Sequence, residues 1–416
     1  GGRGGGDEDH YGYDEHPPPA SPPYGGRAAA GSAAAMFAQC SPGESVRGRV
    51  AQLCRDQHGS RYLQAHLDGH LDEPAELEII FEEVLAKARE LTTDVFGNYV
   101  VQKVLATGDA TVRARVAEAL KGQAVALSLH VYGCRVIQKA LEALPAAQAI
   151  EVIKEFQGNV LLCVHDVNGN HVIQKCVEVT SNARKAHDAG DVSAQINART
   201  RGRKDGGGEA PDAAQVAEVG LLGDQIDFVL AAFVGQARSL AVHPYGCRVL
   251  QRVLEHCARA QTARLLGELR GGDLRALIED QYANYVMQHA IQFGRPEDRA
   301  LLVAAVRASL ADFSRHKFAS NVVEKCLEFG SEEERRDLID EIVADRGGDD
   351  GQESSMLRLL ITDPFANYVV QKVVDLADEA QVAAIAARLR PVAQHVRHTP
   401  GKHILSRLEK KVAIKF

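Results

Sequence analysis

The stretch Phe365-Ala-Asn-Tyr-Val-Val-Gln-Lys-Val-Val-Asp375 decides the fold, because shorter versions of it recur along the chain. At helical spacing its valines form one apolar stripe, namely Val369, Val370, Val373 and Val374. Its polar residues form a second stripe about 100° around the helix axis, namely Asn367, Tyr368, Gln371 and Lys372. The phrase therefore predicts a helix with one face in a core and another face free to contact a ligand.

Seven earlier segments repeat this phrase, and each can be numbered from the polar residue that follows its Gly or Ala. We call that residue the first position; the eight first positions are residues 60, 98, 134, 170, 247, 284, 320 and 367. Their spacing is close to 36 residues, apart from one longer interval of 77 and one of 47. A sustained period of this length is typical of a solenoid, in which each unit buries its apolar face only by stacking on its neighbours.

Three positions of the repeated phrase carry a narrow choice of polar side chains. The first position is Asn, Ser or Cys: Ser60, Asn98, Cys134, Asn170, Cys247, Asn284, Ser320 and Asn367. The second position is mostly aromatic or Arg: Arg61, Tyr99, Arg135, His171, Arg248, Tyr285, Asn321 and Tyr368. The fifth position is Gln in all but one repeat: Gln64, Gln102, Gln138, Gln174, Gln251, Gln288, Glu324 and Gln371.

This choice is too narrow for an ordinary solvated helix face, which would mix Lys, Glu, Asp, Ser and Gln freely. The first and fifth positions lie four residues apart, so both side chains point at the same spot and can hold one planar edge. Tyr, His and Arg at the second position are flat groups on which bases stack. A ligand with one planar, hydrogen-bonding unit per repeat is a single-stranded nucleic acid.

The net charge of −8 does not exclude RNA, because much of the acidity lies in residues 1–44 and 345–355. Cations recur at the repeated phrases, and a local basic strip can attract phosphates whatever the total charge. These cations are Arg61, Lys103, Arg135, Lys139, Lys175, Arg248, Arg252, Lys325 and Lys372.

The chain divides into a tail and a repeat array. Residues 1–43 are rich in Gly, Pro and Ala without apolar periodicity, which predicts disorder. Residues 44–416 form the array, and each unit is predicted to hold a first helix such as 76–89, the motif helix and a third helix such as 110–120. Two insertions interrupt the array: a predicted disordered excursion over about 181–220 and a loop at 345–355.

Two further segments have a specific interpretation. The excursion contains the basic run Arg199-Thr-Arg-Gly-Arg-Lys204, which we interpret as part of a solvated loop rather than an RNA contact or a nuclear-import signal. The segment Lys402-His-Ile-Leu-Ser406 occupies the position of a ninth motif without its Gln, as expected of a terminal cap.

Several other functional classes find no support in the sequence. No apolar run is long enough to cross a membrane. The eight cysteines are scattered without a CxxC pair, which favours buried thiols such as Cys176 and Cys326 over disulfides or a metal site. His165, Asp166 and the other scattered acids and histidines form no catalytic constellation, so we expect no enzyme activity and no cofactor.

The eight phrases, from Gly59-Ser-Arg-Tyr-Leu-Gln64 to Asn367-Tyr-Val-Val-Gln371, resemble the Pumilio (PUF) RNA-binding repeat over roughly residues 45–416. The resemblance implies an all-α, right-handed, crescent-shaped α-solenoid of eight three-helix repeats plus terminal caps. It also implies a base code in which Asn with Gln reads uracil, Ser or Cys with Gln reads adenine, and Ser with Glu reads guanine. The RNA of the family runs antiparallel to the protein, so the implied target is 5′-UGUAUAUA-3′.

The resemblance further implies a function: binding to mRNA 3′ untranslated regions and post-transcriptional repression by a cytoplasmic monomer, with protein co-repressors on the convex face. Two other functional classes fit the sequence less well. An armadillo-like protein-binding scaffold leaves the cysteines at two first positions unexplained. A nucleolar PUF-like protein without sequence preference would have degenerate motifs, whereas the motifs here are intact.

Overall fold

The computed structural model describes residues 46–69, 74–200, 211–344, 356–399 and 401–412, and within these the regular secondary structure is all helical, without a β-strand. The predicted tail 1–43 and the loop 345–355 lie outside the described residues. None of the described helices combines the length and the apolar character that a membrane span needs.

Three kinds of helix alternate along the chain, one of each kind per repeat. The short helices are Val50–Cys54, Ala88–Thr92, Ala124–Ser128, Val160–His165, Ala237–Ala241, Leu274–Glu279, Leu310–Ser314 and Met356–Ile361. The motif helices are Gln57–Gly69, Gly97–Thr107, Gly133–Ala143, Gly169–Asp188, Gly246–His256, Ala283–Phe293, Ala319–Phe329 and Ala366–Leu376. The third helices are Pro74–Ala86, Ala110–Leu120, Ala146–Lys154, Ile226–Phe233, Arg259–Arg270, Pro296–Arg307, Glu332–Val343 and Glu379–Leu389.

The motif helices form one continuous layer. Each packs on the motif helix of the next repeat, and the last packs on the terminal helix Lys402–Val412. The apolar stripe that the sequence predicts is buried, since Val369, Val370, Val373 and Val374 are at most 1% exposed. One hydrophobic core runs through all the repeats. The predicted all-α solenoid of eight repeats is therefore confirmed.

Glycines at the motif-helix entrances allow a close approach of the short helix. A Cβ on Gly133 would lie 2.6 Å from the backbone oxygen of Leu127, and a Cβ on Gly59 would lie 2.5 Å from that of Leu53. Both distances are far below van der Waals contact, so the two helices meet backbone to backbone. Repeats 6, 7 and 8 instead accommodate a buried Ala at this place, namely Ala283, Ala319 and Ala366.

One predicted helix boundary is wrong. The first helix of a unit was expected over 76–89, but this range spans two helices, Pro74–Ala86 and Ala88–Thr92, which meet at Lys87. Lys87 leaves the helical conformation with φ −124° and ψ 14°. The boundary is hidden because residues 85–88 are Leu, Ala, Lys and Ala, all good helix formers. The third helix predicted over 110–120 is confirmed.

The prediction of a disordered excursion over 181–220 is wrong for the residues that the structure describes. The fourth motif helix continues to Asp188, and two more helices follow, Ser193–Thr200 and Ala213–Asp224. The apolar residues that hold these helices are too sparse to form a visible periodic pattern: Val192, Ile196, Val219 and Leu222 are buried. Residues 201–210 lie outside the described residues.

A buried arginine anchors this insertion to the array. Arg199 donates from Nη1 to the carbonyl oxygen of Leu144 at 2.8 Å, and its own carbonyl accepts from Arg113 Nη1 at 3.0 Å. Burial lowers the pKa of Arg199 to about 10. The first residue of the basic run is therefore a structural contact rather than part of a solvated loop.

Candidate nucleic-acid interface

Each motif helix is positioned by an Asp or His that lies four residues before the first position. Its side chain accepts hydrogen bonds from two backbone N–H groups at the helix entrance, which satisfies donors that a helix start otherwise leaves unpaired. Five repeats use Asp at 2.7–2.9 Å: Asp56, Asp94, Asp166, Asp280 and Asp363. Three use the Nδ1 atom of His at 3.1–3.3 Å: His130, His243 and His316.

These capping residues are not among the predicted site residues, although the signal for them is present in every repeat. Asp94, Asp166, Asp280 and Asp363 each precede an Asn at the first position. His130 and His243 each precede a Cys. The type of cap thus follows the type of first residue in those six repeats.

The first-position side chains lie beneath the surface, at 0–4% exposure in all eight repeats. The fifth-position side chains are half-buried above them, apart from Gln251, which is 8% exposed. The structure therefore refines the predicted clamp. The two side chains are brought together, but one lies under the other rather than beside it.

In the four Asn repeats the two amides are joined by the same hydrogen bond. The Nε2 atom of the fifth-position Gln donates to the Oδ1 atom of the Asn at 2.9–3.0 Å in the pairs 102/98, 174/170, 288/284 and 371/367. The Asn Nδ2 atom is held from below: Asn98 donates to the carbonyl oxygens of Asp94 and Val95 at 2.9 and 3.0 Å. This bonding fixes which amide atom is which on both side chains.

The Gln amide has a different acceptor when the first residue changes. In repeat 1, Gln64 Nε2 donates to the Ser60 hydroxyl at 3.1 Å. In the two Cys repeats, Gln138 and Gln251 donate instead to the backbone carbonyl of the Cys, at 3.2 and 3.1 Å. The first residue therefore sets the orientation of the half-exposed Gln. A Gln amide retains an acceptor oxygen and a second N–H for a ligand.

The two first-position cysteines are thiols rather than thiolates. Burial raises the pKa of Cys134, and it raises the pKa of Cys247 to about 11. Each Sγ lies 3.5 Å from a backbone carbonyl oxygen, that of Val131 or Pro244. These two thiols are small, neutral groups at the base of the site.

Glu324 is the one carboxylate at a fifth position. Burial raises its pKa, while the ammonium groups of Lys372 and Lys325 act in the opposite direction. An ionised carboxylate only accepts hydrogen bonds, so this repeat presents a different chemistry from the seven Gln repeats.

The second-position side chains project into solvent, as the sequence predicts for stacking groups. Tyr99, Tyr285 and Tyr368 are 46–53% exposed, which is unusual for tyrosines on a packed helix. Arg61, His171 and Arg248 are exposed, and Arg135 and Asn321 are half-buried. The stacking candidates thus lie beside the Gln and Glu side chains on the same layer of helices.

The cations at the sixth position do not form the free basic strip that the sequence suggested. They alternate with acidic side chains along the motif helices, and we call this row of ion pairs the ion-pair ladder. Lys103 contacts Asp68 of the preceding repeat at 2.7 Å, and Lys175 contacts Glu142 at 2.9 Å. The other pairs of this ladder include Arg252–Glu178, Lys372–Glu328, Lys139–Glu142 and Lys325–Glu328. By contrast, Arg61, Arg135 and Arg248 have no ion pair within the described residues.

The geometry suits a flat, hydrogen-bonding ligand and offers little to a metal ion. Within the described residues, no group of three or more His, Cys, Asp or Glu side chains is arranged to hold one. Each repeat instead offers an oriented amide or carboxylate, next to a ring or guanidinium in most repeats. This combination fits one unpaired base per repeat.

Comparison with known proteins agrees with this geometry. The model of the Pumilio-family RNA binding repeat matches residues 49–85, 87–120, 123–156, 159–187, 236–270, 276–307, 309–343 and 359–389. The chain belongs to the Pumilio family. The unmatched residues 188–235 contain the additional helices between repeats 4 and 5.

Two curated relatives are similar to parts of the chain. Pumilio homolog 12 of Arabidopsis thaliana is 26% identical over 376 residues, which are 88% of this chain and 53% of that protein. A Pumilio domain-containing protein of Schizosaccharomyces pombe is 30% identical over 189 residues, 45% of this chain and 26% of that protein. The chain thus spans about half of one relative's length and about a quarter of the other's.

Two solved Pumilio-family structures contain RNA and resemble this fold. The Puf3 RNA binding domain bound to Cox17 RNA 3′ UTR recognition sequence site A superposes with a TM-score of 0.73 at 31% identity, covering 91% of this chain and 100% of that one. PUF-8 in complex with PBE-RNA gives a TM-score of 0.71 at 31% identity, covering 91% and 97%.

Proposed function

We propose that this Pumilio-family chain binds single-stranded RNA sequence-specifically, with 5′-UGUAUAUA-3′ as its preferred target. The observation that best supports this proposal is the repeated contact between the first-position and fifth-position residues. The Gln amide has one acceptor in the Asn repeats, another in the Cys repeats and a third in repeat 1. A first residue that orients the Gln allows one amide to distinguish uracil from adenine.

The assignment to bases follows the family code, read from repeat 8 to repeat 1. The Asn/Gln repeats 8, 6, 4 and 2 select U at nucleotides 1, 3, 5 and 7. The Cys/Gln repeats 5 and 3 and the Ser/Gln repeat 1 select A at nucleotides 4, 6 and 8. Ser320 with Glu324 selects G at nucleotide 2, because a carboxylate accepts from both the N1–H and N2–H groups of guanine.

A double substitution in repeat 7 tests this assignment. Ser320→Asn with Glu324→Gln reproduces the pair found in repeats 2, 4, 6 and 8, and should move the preferred second base from G to U. The relevant measurement is the Kd for UGUAUAUA and UUUAUAUA. Each mismatch is expected to cost about 1–3 kcal/mol, so the order of the two affinities should reverse.

Glu328→Gln is the matched control, since it makes the same carboxylate-to-amide change one turn further along the same helix. Glu328 belongs to the ion-pair ladder and not to the fifth-position set. The control should keep the preference for G. Equal preferences of the wild type and the double variant for the two RNAs would contradict the proposed code.

We further propose that the protein acts on mRNA 3′ untranslated regions as a cytoplasmic, monomeric repressor that recruits protein co-repressors through its convex face. Support comes from the family resemblance. A reporter mRNA with UGUAUAUA in its 3′ untranslated region should be repressed relative to one with UCUAUAUA. Equal expression of both reporters in cells that contain the protein would contradict this role.

A further inference from the structure

The Asp that caps a motif helix also supplies a carbonyl oxygen that holds the first-position Asn. In repeat 2, the Oδ1 atom of Asp94 accepts from the backbone N–H groups of Phe96 and Gly97 at 2.9 and 2.7 Å. The backbone oxygen of the same Asp94 accepts from Asn98 Nδ2 at 2.9 Å. One residue therefore contacts both the turn that starts the helix and the side chain that accepts from Gln102.

All four Asn repeats share this arrangement. The Asn Nδ2 atom donates to the carbonyl oxygen of the capping Asp and to that of the next residue, at 2.9–3.0 Å, in repeats 2, 4, 6 and 8. The carbonyl oxygen of the Asp also accepts from the backbone N–H of the Asn, at 3.2–3.3 Å. This oxygen uses both of its lone pairs on one Asn, so its position determines where the Asn amide lies.

The two Cys repeats differ at the same carbonyl. In repeats 3 and 5 the carbonyl oxygen of the capping His accepts from the backbone N–H of the Cys at 3.0 Å, closer than in the Asn repeats. The thiol lies instead 3.5 Å from the carbonyl oxygen of the residue after the cap, Val131 or Pro244. The recognition side chain of a Cys repeat is therefore tied to the turn by a weaker contact than the Asn amide.

The side chain of the cap also differs between these repeats. The His Nδ1 atom accepts from the two backbone N–H groups at 3.1–3.2 Å in repeats 3 and 5. The carboxylate oxygen of the Asp accepts from the equivalent groups at 2.7–2.9 Å in the Asn repeats. A hydrogen bond to a charged acceptor is shorter and stronger than one to a neutral acceptor, so Asp holds the turn more firmly.

We propose that the capping Asp of each Asn repeat is a positioning residue for base choice: Asp94, Asp166, Asp280 and Asp363. The inference rests on the proposed function and deepens it. The Asp side chain fixes the turn, the turn fixes two carbonyl oxygens, and these oxygens fix the Asn amide that accepts from the Gln. A His at the cap keeps the helix start but places the two oxygens less firmly, so the repeat selects uracil less well.

The substitution Asp94→His tests this inference in repeat 2. His already caps repeats 3, 5 and 7, so the fold should survive, which a thermal melt checks. The ratio of Kd for UGUAUAAA to Kd for UGUAUAUA reports the preference for U at nucleotide 7. This ratio should fall by about three- to fivefold. Asp94→Asn retains an oxygen acceptor of the same shape, and it should keep the ratio within about twofold of the wild type.

A double-mutant cycle separates positioning from a general effect on the fold. Asn98→Ala removes the amide that the Asp94 carbonyl holds. In that background, Asp94→His should change the same Kd ratio by less than about twofold, because the two residues act through one contact.

Repeat 1 supplies the matched control. Asp56 caps it in the same way, with Oδ2 accepting from the backbone N–H groups of His58 and Gly59 at 2.9 and 2.8 Å. The Ser60 hydroxyl, however, donates to Phe96 O of the next repeat at 3.0 Å. Asp56→His should therefore keep the preference for A at nucleotide 8 within about twofold, measured with UGUAUAUU against UGUAUAUA.

Repeat 3 allows the converse experiment. Cys134→Asn should move the preference at nucleotide 6 from A toward U, measured with UGUAUAUA and UGUAUUUA. Adding His130→Asp should increase the preference for U by about threefold more, because the new Asn then has the cap found in repeats 2, 4, 6 and 8. His130→Asp alone should keep the preference for A.

An unchanged preference for U in Asp94→His would overturn the inference. An equal loss in the Asn98→Ala background, an equal loss of preference in Asp56→His, or no gain from His130→Asp beside Cys134→Asn would also overturn it. These results differ from a failure of the proposed function, in which the wild type would bind UGUAUAUA and UGUAUAAA with the same affinity.

Discussion

Gln102 Nε2 donates a hydrogen bond to Asn98 Oδ1 at 3.0 Å, and Asn98 is itself held by two backbone carbonyls. The buried Asn98 amide thus influences a bound base through the half-exposed Gln102 amide. This relationship explains how a first residue with almost no exposed surface can still influence base choice, because it determines which acceptor holds the Nε2 atom of the Gln amide.

Asn98→Ala should loosen recognition at nucleotide 7. The substitution removes the acceptor of Gln102, so the amide can present either end to the base. Uracil binding at that position should weaken by about 1 kcal/mol, which is about fivefold, and the preference over adenine should fall. Kd measured with UGUAUAUA and UGUAUAAA tests this. Asn182→Ala, at an exposed position on another motif helix, should leave both values unchanged.

Gly133→Ala should destabilise the fold. Its new Cβ would lie 2.6 Å from Leu127 O, so two helices must move apart, at a cost of about 1–3 kcal/mol. Gly267→Ala is the matched control, since Gly267 lies within the helix Arg259–Arg270 with nothing within 4 Å of the new Cβ. The control should gain about 0.5–1 kcal/mol from helix propensity. Urea unfolding of both variants should show changes of opposite sign in the free energy of unfolding. Equal changes would contradict the close approach of the two helices at Gly133.

Lys175→Met should destabilise the array by about 1–2 kcal/mol, because it leaves Glu142 and Glu178 together without their shared cation. Burial acts to lower the pKa of Lys175, but the hydrogen bonds to Glu178 and Glu142 outweigh it and raise that pKa. Lys154→Met removes an exposed pair with Glu151 and should cost at most about 0.5 kcal/mol. Similar unfolding midpoints for the two variants would show that the ladder adds no stability.

Acid should weaken the cap of repeat 5. Burial and the neighbouring ring of His165 lower the pKa of His243, whose unprotonated Nδ1 accepts from the backbone N–H groups of Tyr245 and Gly246. The unfolded chain therefore binds the proton first. The stabilising contribution is complete above the ordinary histidine pKa of about 6.5 and is lost as the pH falls through the lowered value.

His243→Asp should make stability less sensitive to pH over this window. The substitution installs the acceptor that repeats 2, 4, 6 and 8 already use. Thermal melts between about pH 6.5 and pH 5 should show a smaller decrease for the variant than for the wild type. Parallel decreases would show that protonation of this cap does not matter.

The sequence predicts much of the fold because the array repeats one pattern of apolar and polar residues eight times. The stripe Val369, Val370, Val373 and Val374 is buried as its spacing requires, and the motif helices lie side by side. The insertion was beyond such reasoning, because it occurs once. Its contact between Arg199 and Leu144 joins residues that are 55 positions apart, and no periodic pattern indicates it.

The contact between the first and fifth residues was predictable from the sequence, but their layering was not. Helical spacing brings Asn98 and Gln102 to one spot, yet it does not indicate that Asn98 is buried beneath Gln102. The prediction of a free basic strip was wrong for a similar reason. Lys103 belongs to the motif, but its partner Asp68 lies on the preceding repeat, and only stacking brings the two together.

The central claim is that each repeat reads one base, and binding to a complete set of single-base variants of UGUAUAUA tests it most directly. We expect every position to prefer the assigned base, with mismatches costing about 1–3 kcal/mol. The preferred base should differ between nucleotides whose repeats carry different first or fifth residues. An affinity that depends on RNA length and salt but is the same for all variants would contradict the claim.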